Sequence, residues 1–107
     1  MTSLQVPATF VNITVEAKRD IGRLDDFLWA QTDPLAGGLY AFLIKALRLL
    51  EHQPGVGRPV TSDLRELIIG HGRSGYLARY KYQRALNIVT VLRIRHQGES
   101  GYTADEI

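Results

Sequence analysis

Near the start of the chain, the apolar residues change from an alternating to a helical pattern. Residues 9–15 alternate, with Val11 and Ile13 on one side, and the segment is rich in β-branched side chains. This pattern predicts a first strand. From about Ala17 to Gln31 the apolar residues recur three and four positions apart, which predicts a first helix.

A second helix is predicted to follow directly. Asp33-Pro34 is a typical helix start, because Asp can cap free amides and proline at the first helical position loses no needed hydrogen bond. A broad apolar face then continues to Leu50. Gly37 and Gly38 each cost about 1 kcal/mol relative to alanine, so we expect the first turns to be loose. Two helices with a short connection form a hairpin that must bury its apolar side.

The second half of the chain carries three strand signals. Residues 53–59 are rich in proline and glycine and cannot continue the helix. Strands are predicted at residues 64–69, 76–82 and 86–94, and the glycine-rich residues 70–75 form the turn between the first two. One face of the middle strand, predicted to lie in the core, carries Tyr76, Ala78, Tyr80 and Tyr82. The last strand is apolar on both faces, which is typical of a central strand.

The predicted order β-α-α-β-β-β gives an α+β fold, with the helical hairpin packed on one face of a mostly antiparallel sheet. A central last strand needs a neighbour besides its hairpin partner, and the first strand is the remaining candidate. We expect one domain over residues 1–107, with a core at about 10–96 and a polar tail at 97–107. The open face of such a sheet is a natural binding surface.

Composition excludes several function classes. The 107 residues include no cysteine, which rules out disulfides, thiolate catalysis and cysteine-based zinc sites. The three histidines lie far apart without metal-ligand spacing, so we predict neither a metal site nor a cofactor. Apolar stretches are too short for a bilayer span, and the amino terminus lacks a signal pattern. We therefore expect a soluble, unsecreted protein.

The net charge of +2 is distributed unevenly. Residues 1–57 carry five Lys or Arg and six Asp or Glu, residues 58–96 carry eight and two, and the tail from residue 97 carries three acids and no base. A positive sheet attracts nucleic acid or an acidic protein partner. The pattern leaves both open, together with the simpler interpretation that the arginines only keep a sheet face soluble.

Four short motifs, in their order and spacing, resemble the RelE/ParE toxin superfamily of bacterial toxin–antitoxin modules. They are Gly57-Arg58-Pro59, Leu64-Arg65-Glu66-Leu67, Gly75-Tyr76 followed by Arg79-Tyr80, and Val91-Leu92-Arg93-Ile94-Arg95-His96. The resemblance covers about residues 10–102. It implies a first strand beside the last one, a cytoplasmic location and a cognate antitoxin as partner, with no membrane and no small-molecule substrate.

The superfamily is divided in function. RelE-like members cut messenger RNA in the ribosome without metal, whereas ParE-like members poison DNA gyrase. The strand that begins at Leu64 and the end of the last strand favour the ParE-like branch. The resemblance therefore implies a gyrase-inhibiting toxin of the plasmid-stabilisation kind. The alternative is a ribosome-dependent, metal-free messenger RNA endoribonuclease, and a nucleic-acid adaptor that uses the basic sheet is a third possibility.

The resemblance also implies candidate site residues. In a nuclease, Arg73 would bind phosphate, His96 would transfer a proton, a role that suits an imidazole, and Glu66 would be the base. RelE carries paired lysines where Arg65 and Glu66 stand, so its mechanism could not be copied unchanged. Residues predicted to bind a target or RNA are Arg65, Arg79, Arg93, Arg95 and Tyr102. The simpler alternatives make His96 a strand-end residue and Arg73 a solvated turn residue.

Overall fold

The computed structural model describes residues 7–70 and 75–99. Within these ranges the chain forms a mixed five-stranded sheet and two helices. The elements are β1 (Phe10–Ile13), α1 (Val15–Ala30), α2 (Leu39–Leu47), β2 (Arg58–Pro59), β3 (Leu64–Ile69), β4 (Tyr76–Gln83) and β5 (Ile88–His96), with short 3₁₀ turns at Arg48–Glu51 and Arg84–Leu86. No helix in the described part of the chain is both long and apolar enough to cross a membrane.

The order of the strands in the sheet is β1-β5-β4-β3-β2. β1 is parallel to β5, and the other neighbouring strands are antiparallel. The prediction that the last strand is central and lies next to the first is therefore confirmed, as is the α+β fold.

Thr14 connects β1 to α1. Its hydroxyl oxygen accepts a hydrogen bond from the Ala17 N–H at 3.1 Å and donates one to the Val91 carbonyl at 2.9 Å. This is an N-cap, which satisfies one of the unpaired amides at the start of a helix. The prediction that the strand continues to Val15 was wrong, because the cap ends the strand at Ile13 and Val15 begins the helix, 56% exposed.

The predicted start of the second helix at Asp33-Pro34 was also wrong. The Asp33 carboxylate accepts a hydrogen bond from the Leu35 N–H at 2.8 Å, and the Asp25 carboxylate of α1 accepts one from the Gly37 N–H at 2.9 Å. Gly37 has a φ of +85°, which other residues rarely adopt. These contacts hold residues 31–38 as a loop, and α2 begins only at Leu39.

Two further differences concern the strands. β2 has only two residues and was not predicted. The last strand begins at Ile88 and not at residue 86, because the 3₁₀ turn over Arg84–Leu86 ends at Asn87, whose φ is +54°. Leu86 is accordingly exposed.

The core lies between the helices and one face of the sheet, and it includes Ile21, Leu24, Leu39, Leu43, Leu47, Leu50, Val89, Val91 and Ile94. Tyr76, Ala78 and Tyr80 are buried there as predicted, and Tyr82 is partly buried against them. The Tyr80 hydroxyl donates to the Pro54 carbonyl and accepts from the Gly57 N–H, both at 2.8 Å. These bonds tie the loop before β2 to the sheet.

A β-bulge in β5 reverses the alternation of its side chains. Arg79 pairs with Arg93 and the next residue of β4, Tyr80, pairs with Val91, so Leu92 is an extra residue. As a result Val91 and Ile94, which are three residues apart, both lie in the core.

Beyond this bulge, α1 and not β1 lies beside β5. The pairing of β1 with β5 ends at Ile13 and Val91. From there Asp20 of α1 accepts hydrogen bonds from the Ile94 N–H at 2.8 Å and from the Arg93 Nε and Nη2 at 2.8 and 3.1 Å. Both charged side chains are buried. Asp20 therefore attaches the helical layer to the end of the central strand.

We expect Asp20→Ala to lower the free energy of unfolding by about 3 kcal/mol or more, because it leaves the Arg93 guanidinium buried without this carboxylate. Urea denaturation followed by circular dichroism measures the change. Asp26→Ala, on an exposed position of the same helix, is the matched control and should change stability by less than about 0.5 kcal/mol. Equal losses in the two variants would contradict the role given to Asp20.

Candidate functional site

Charged residues form a row across the open face of the sheet. Arg58, Glu66, Arg79 and Arg93 are successive register partners on β2, β3, β4 and β5. The Glu66 Oε1 accepts a hydrogen bond from Arg58 at 3.0 Å, and its Oε2 accepts one from Arg79 at 3.2 Å. The Glu66 side chain is only 5% exposed, so the carboxylate lies between two guanidinium groups beneath the surface.

This environment sets the protonation of Glu66. Burial alone would raise the pKa of the carboxyl, but the hydrogen bonds and charges of Arg58 and Arg79 outweigh it and hold the pKa below its usual value. A carboxylate that is held ionised in this way is a weak proton acceptor. Its position favours a structural role over that of the general base named for a nuclease.

The arginines predicted to contact a target also have partners within the chain. Arg65 donates to the carbonyls of Gly55 and Gly57 at 3.0 and 2.8 Å, and Arg95 donates to the Glu99 carbonyl at 3.1 Å. Arg93 binds Asp20. Their contact with a target stays a prediction, and each would have to make it in addition to these bonds.

His96 lies on the helix side of the sheet. It pairs with Tyr76 of β4, and the two rings meet edge to face with centroids 5.3 Å apart. The Nδ1 atom accepts a hydrogen bond from the Gly98 N–H at 3.0 Å. In the neutral ring the proton is therefore assigned to Nε2.

His96 is at the centre of a cleft, here called the terminal cleft, between α1, the 31–38 loop and the ends of the central strands. One part has a volume of about 470 Å³, and a second part of about 240 Å³ shares Leu28, Asp33, Tyr76 and His96 with it. Exposed Phe27 and Phe42 line the two parts. The cleft is largely apolar and is open to solvent.

Charged residues line the terminal cleft and act on the Tyr76 hydroxyl. Burial raises the pKa of Tyr76, and the negative charges of Asp33 and Asp25 add to that rise. Arg23 lines the same cleft and forms an ion pair with Glu99 at 2.7 Å. Glu99 also accepts a hydrogen bond from the His96 N–H at 2.8 Å, so it connects the end of β5 to α1.

The structure does not bring Glu66 and His96, the candidate catalytic residues that it describes, together. Glu66 pairs with Arg79 and His96 pairs with Tyr76, three residues away on β4. An odd spacing places the two pairs on opposite faces of the sheet, and three residues span about 10 Å. Two other candidates, Arg73 and Tyr102, lie outside the described residues.

Sequence reasoning missed several residues that organise this region: Asp20, Arg58 and Glu99. Asp20 carried a signal, because it lies on the apolar stripe of α1, where a charged residue needs a partner. Arg58 entered only as part of a family motif and Glu99 only as one of the acids of the tail, because their pairing with Glu66 and Arg23 depends on the fold. Within residues 7–70 and 75–99, no cluster of His, Asp or Glu is arranged to hold a metal ion.

Comparison with known proteins adds independent information. A family model described as the ParE toxin of the type II toxin–antitoxin system parDE matches residues 11–101. The protein named Toxin RelE1 from Caulobacter vibrioides is 38% identical over 71 residues, which make up 66% of this chain and 76% of that protein.

Two solved structures are similar in fold. A mutant of the Escherichia coli toxin RelE in the free state has a TM-score of 0.59 and 18% identity, and the match covers 87% of each chain. The toxin–antitoxin complex RelBE2 from Mycobacterium tuberculosis has a TM-score of 0.52 and 19% identity, and the match covers 89% of this chain and 98% of that chain.

We expect Glu66→Gln to lower the free energy of unfolding at pH 7 by about 1–3 kcal/mol, because two charge-assisted hydrogen bonds are weakened. The folded pKa of Glu66 is lower than its unfolded value, so the carboxylate stabilises the fold above about pH 4.3. That contribution is lost as the pH falls through the folded pKa.

Urea denaturation of both proteins at pH 7 and pH 3 measures this difference. The exposed Asp63→Asn is the matched control and should show little difference at either pH. A Glu66→Gln effect of equal size at both pH values would show that the charge of the carboxylate is not its cause.

Proposed function

Because the chain belongs to the ParE toxin family of type II toxin–antitoxin systems, we propose that it inhibits DNA gyrase in the cytoplasm and that a cognate antitoxin neutralises it. The family model covers residues 11–101, nearly all of the chain. The relative named RelE1 and the fold neighbours agree with a toxin of this superfamily and leave the target open. The choice of gyrase depends on the geometry of the site.

The observation that carries this choice is the separation of Glu66 from His96. Metal-free cleavage of RNA needs a base and an acid positioned at one phosphate. Here the carboxylate is held ionised between Arg58 and Arg79 on one face, and the imidazole packs on Tyr76 on the other. A binding mode of action needs neither group as a catalyst, so this arrangement supports a toxin that acts by contact.

Exposed aromatic residues on the helical hairpin support an antitoxin as the second partner. Phe27 and Trp29 of α1 are 61% and 62% exposed, and Tyr40 and Phe42 of α2 are also exposed. Large apolar side chains on two adjacent helices are typical of a surface that receives an extended or helical partner segment. We propose that the antitoxin covers this hairpin and continues over the basic sheet.

We expect His96→Ala and Arg73→Ala to remain toxic, because neither side chain is needed as a proton donor or phosphate ligand when the toxin acts on gyrase. Growth after induction, gyrase-linked DNA breaks and primer extension on cellular messenger RNA are the measurements. DNA breaks without messenger RNA cuts are expected for the wild type and both variants.

The same experiment tests the ribonuclease alternative. If both variants lose toxicity while still binding the antitoxin, and the wild type cuts messenger RNA, the gyrase proposal is wrong. Antitoxin binding controls for folding in each variant.

We expect Phe27→Asp combined with Phe42→Asp to weaken antitoxin binding at least tenfold, because a charge would be buried at each contact. Calorimetric titration with the purified cognate antitoxin measures the affinity. Val56→Asp, at an exposed apolar residue in the loop before β2 and outside the hairpin and the basic stretch, is the matched control. Equal affinities of the double variant and the control would show that the antitoxin does not bind the hairpin.

A further inference from the structure

The outer edge of β1 presents backbone groups that point away from the sheet. Phe10 and Thr14 donate their N–H groups to the Asn87 and Val91 carbonyls of the β5 side, both at 3.1 Å. Because successive residues of a strand point their backbone groups to alternate sides, those of Val11 and Ile13 point outwards. Within the described residues 7–70 and 75–99, the outward N–H and carbonyl groups of Val11 and Ile13 form no backbone hydrogen bond.

The open part of this edge is short and bounded at both ends. At one end the Thr9 N–H donates to the Glu51 carbonyl at 2.8 Å, so the 3₁₀ turn covers the edge there. At the other end Thr14 caps α1 and the chain leaves the sheet. Between these two ends, the outward backbone groups of Val11 and Ile13 are uncovered.

An apolar groove lies beside this gap. It has a volume of about 180 Å³ and is lined by Val11, Ile13, Ile44, Leu47, Arg48 and Glu51. An uncovered strand edge next to an apolar groove is a ready site for another strand. Arg48 and Glu51 give its rim one positive and one negative charge, so a partner with both signs is complementary to it.

We propose that this edge pairs with β1 of a second copy of the chain, antiparallel about a two-fold axis at Asn12. The incoming strand must be short, and β1 itself offers the same two outward residues. Val11 of one copy would face Ile13 of the other, and each such pair exchanges two hydrogen bonds. The result is one continuous sheet through both copies.

The two-fold axis is perpendicular to this continuous sheet, so both helical layers lie on the same side. The α2 flank with Ile44 and Arg48 then faces its own copy across the axis, and the two grooves join. An interface of this kind is isologous, with the same patch used by both copies. The proposal does not depend on the target of the toxin, because it concerns the free chain before the antitoxin binds.

A cysteine cross-link tests the register. Asn12 would face Asn12 of the second copy as a non-hydrogen-bonded pair, whose Cα atoms are about 4.5 Å apart, within the range of a disulfide. The chain has no cysteine of its own. We therefore expect Asn12→Cys to form a covalent dimer on mild oxidation, and exposed Lys81→Cys, on β4, to form far less.

The assembly state of the full chain, released from its antitoxin, gives the second readout. Sedimentation equilibrium should show a species of twice the 12.0 kDa chain mass that dissociates on dilution. Val11→Pro removes an outward N–H, which an edge strand tolerates, and should raise the dissociation constant about tenfold or more. Circular dichroism checks that its fold is kept.

Two outcomes would overturn the proposal. One is a wild-type chain that stays monomeric over the whole concentration range, and the other is cross-linking of Asn12→Cys no faster than that of Lys81→Cys. Should Val11→Pro fail to fold, the comparison of the two cysteine variants decides alone, because neither substitution touches the backbone donors.

Discussion

The structure depends on how the end of β5 is held after β1 has ended. Past Val91 the outer neighbour of this central strand is α1, and one buried carboxylate, Asp20, accepts both a backbone amide and the Arg93 guanidinium. A buried charge is stable only with a well-placed partner, so this pair fixes the position of the helix on the sheet. The terminal cleft between α1 and His96 follows from that position.

More of the charged side chains on the open face are paired within the chain than the sequence indicates. The basic stretch at residues 58–96 predicts a surface for nucleic acid or an acidic partner. In the folded chain Glu66 binds two of its arginines and Asp20 binds a third. Much of the positive charge therefore stabilises the sheet.

Patterns in the sequence predicted those parts of the fold that depend on local alternation. Apolar and aromatic residues on one face of β4 predicted its core face. Apolar residues on both faces of β5 predicted its central position. Gly37 and Gly38 indicated loose first turns, but the start of α2 at Leu39 also depends on Asp25 binding Gly37 across the hairpin, which no single segment contains. The bulge at Leu92 and the pairing of Glu66 depend on register between strands, which no single segment contains. The candidate site residues could be named from the sequence and stay predictions, but the placement of Glu66 and His96 on opposite faces of the sheet could not be predicted.

The contact between Asp20 and Arg93 joins residues 73 positions apart, and β1 likewise pairs with the last strand. A ribosome makes the chain from its amino terminus, so the helical hairpin leaves the exit tunnel well before the strand that it must cover. Contacts of such long range form slowly and late. The sheet therefore cannot close until β5 has been synthesised, because β1 and β4 pair with β5 and α1 binds it through Asp20.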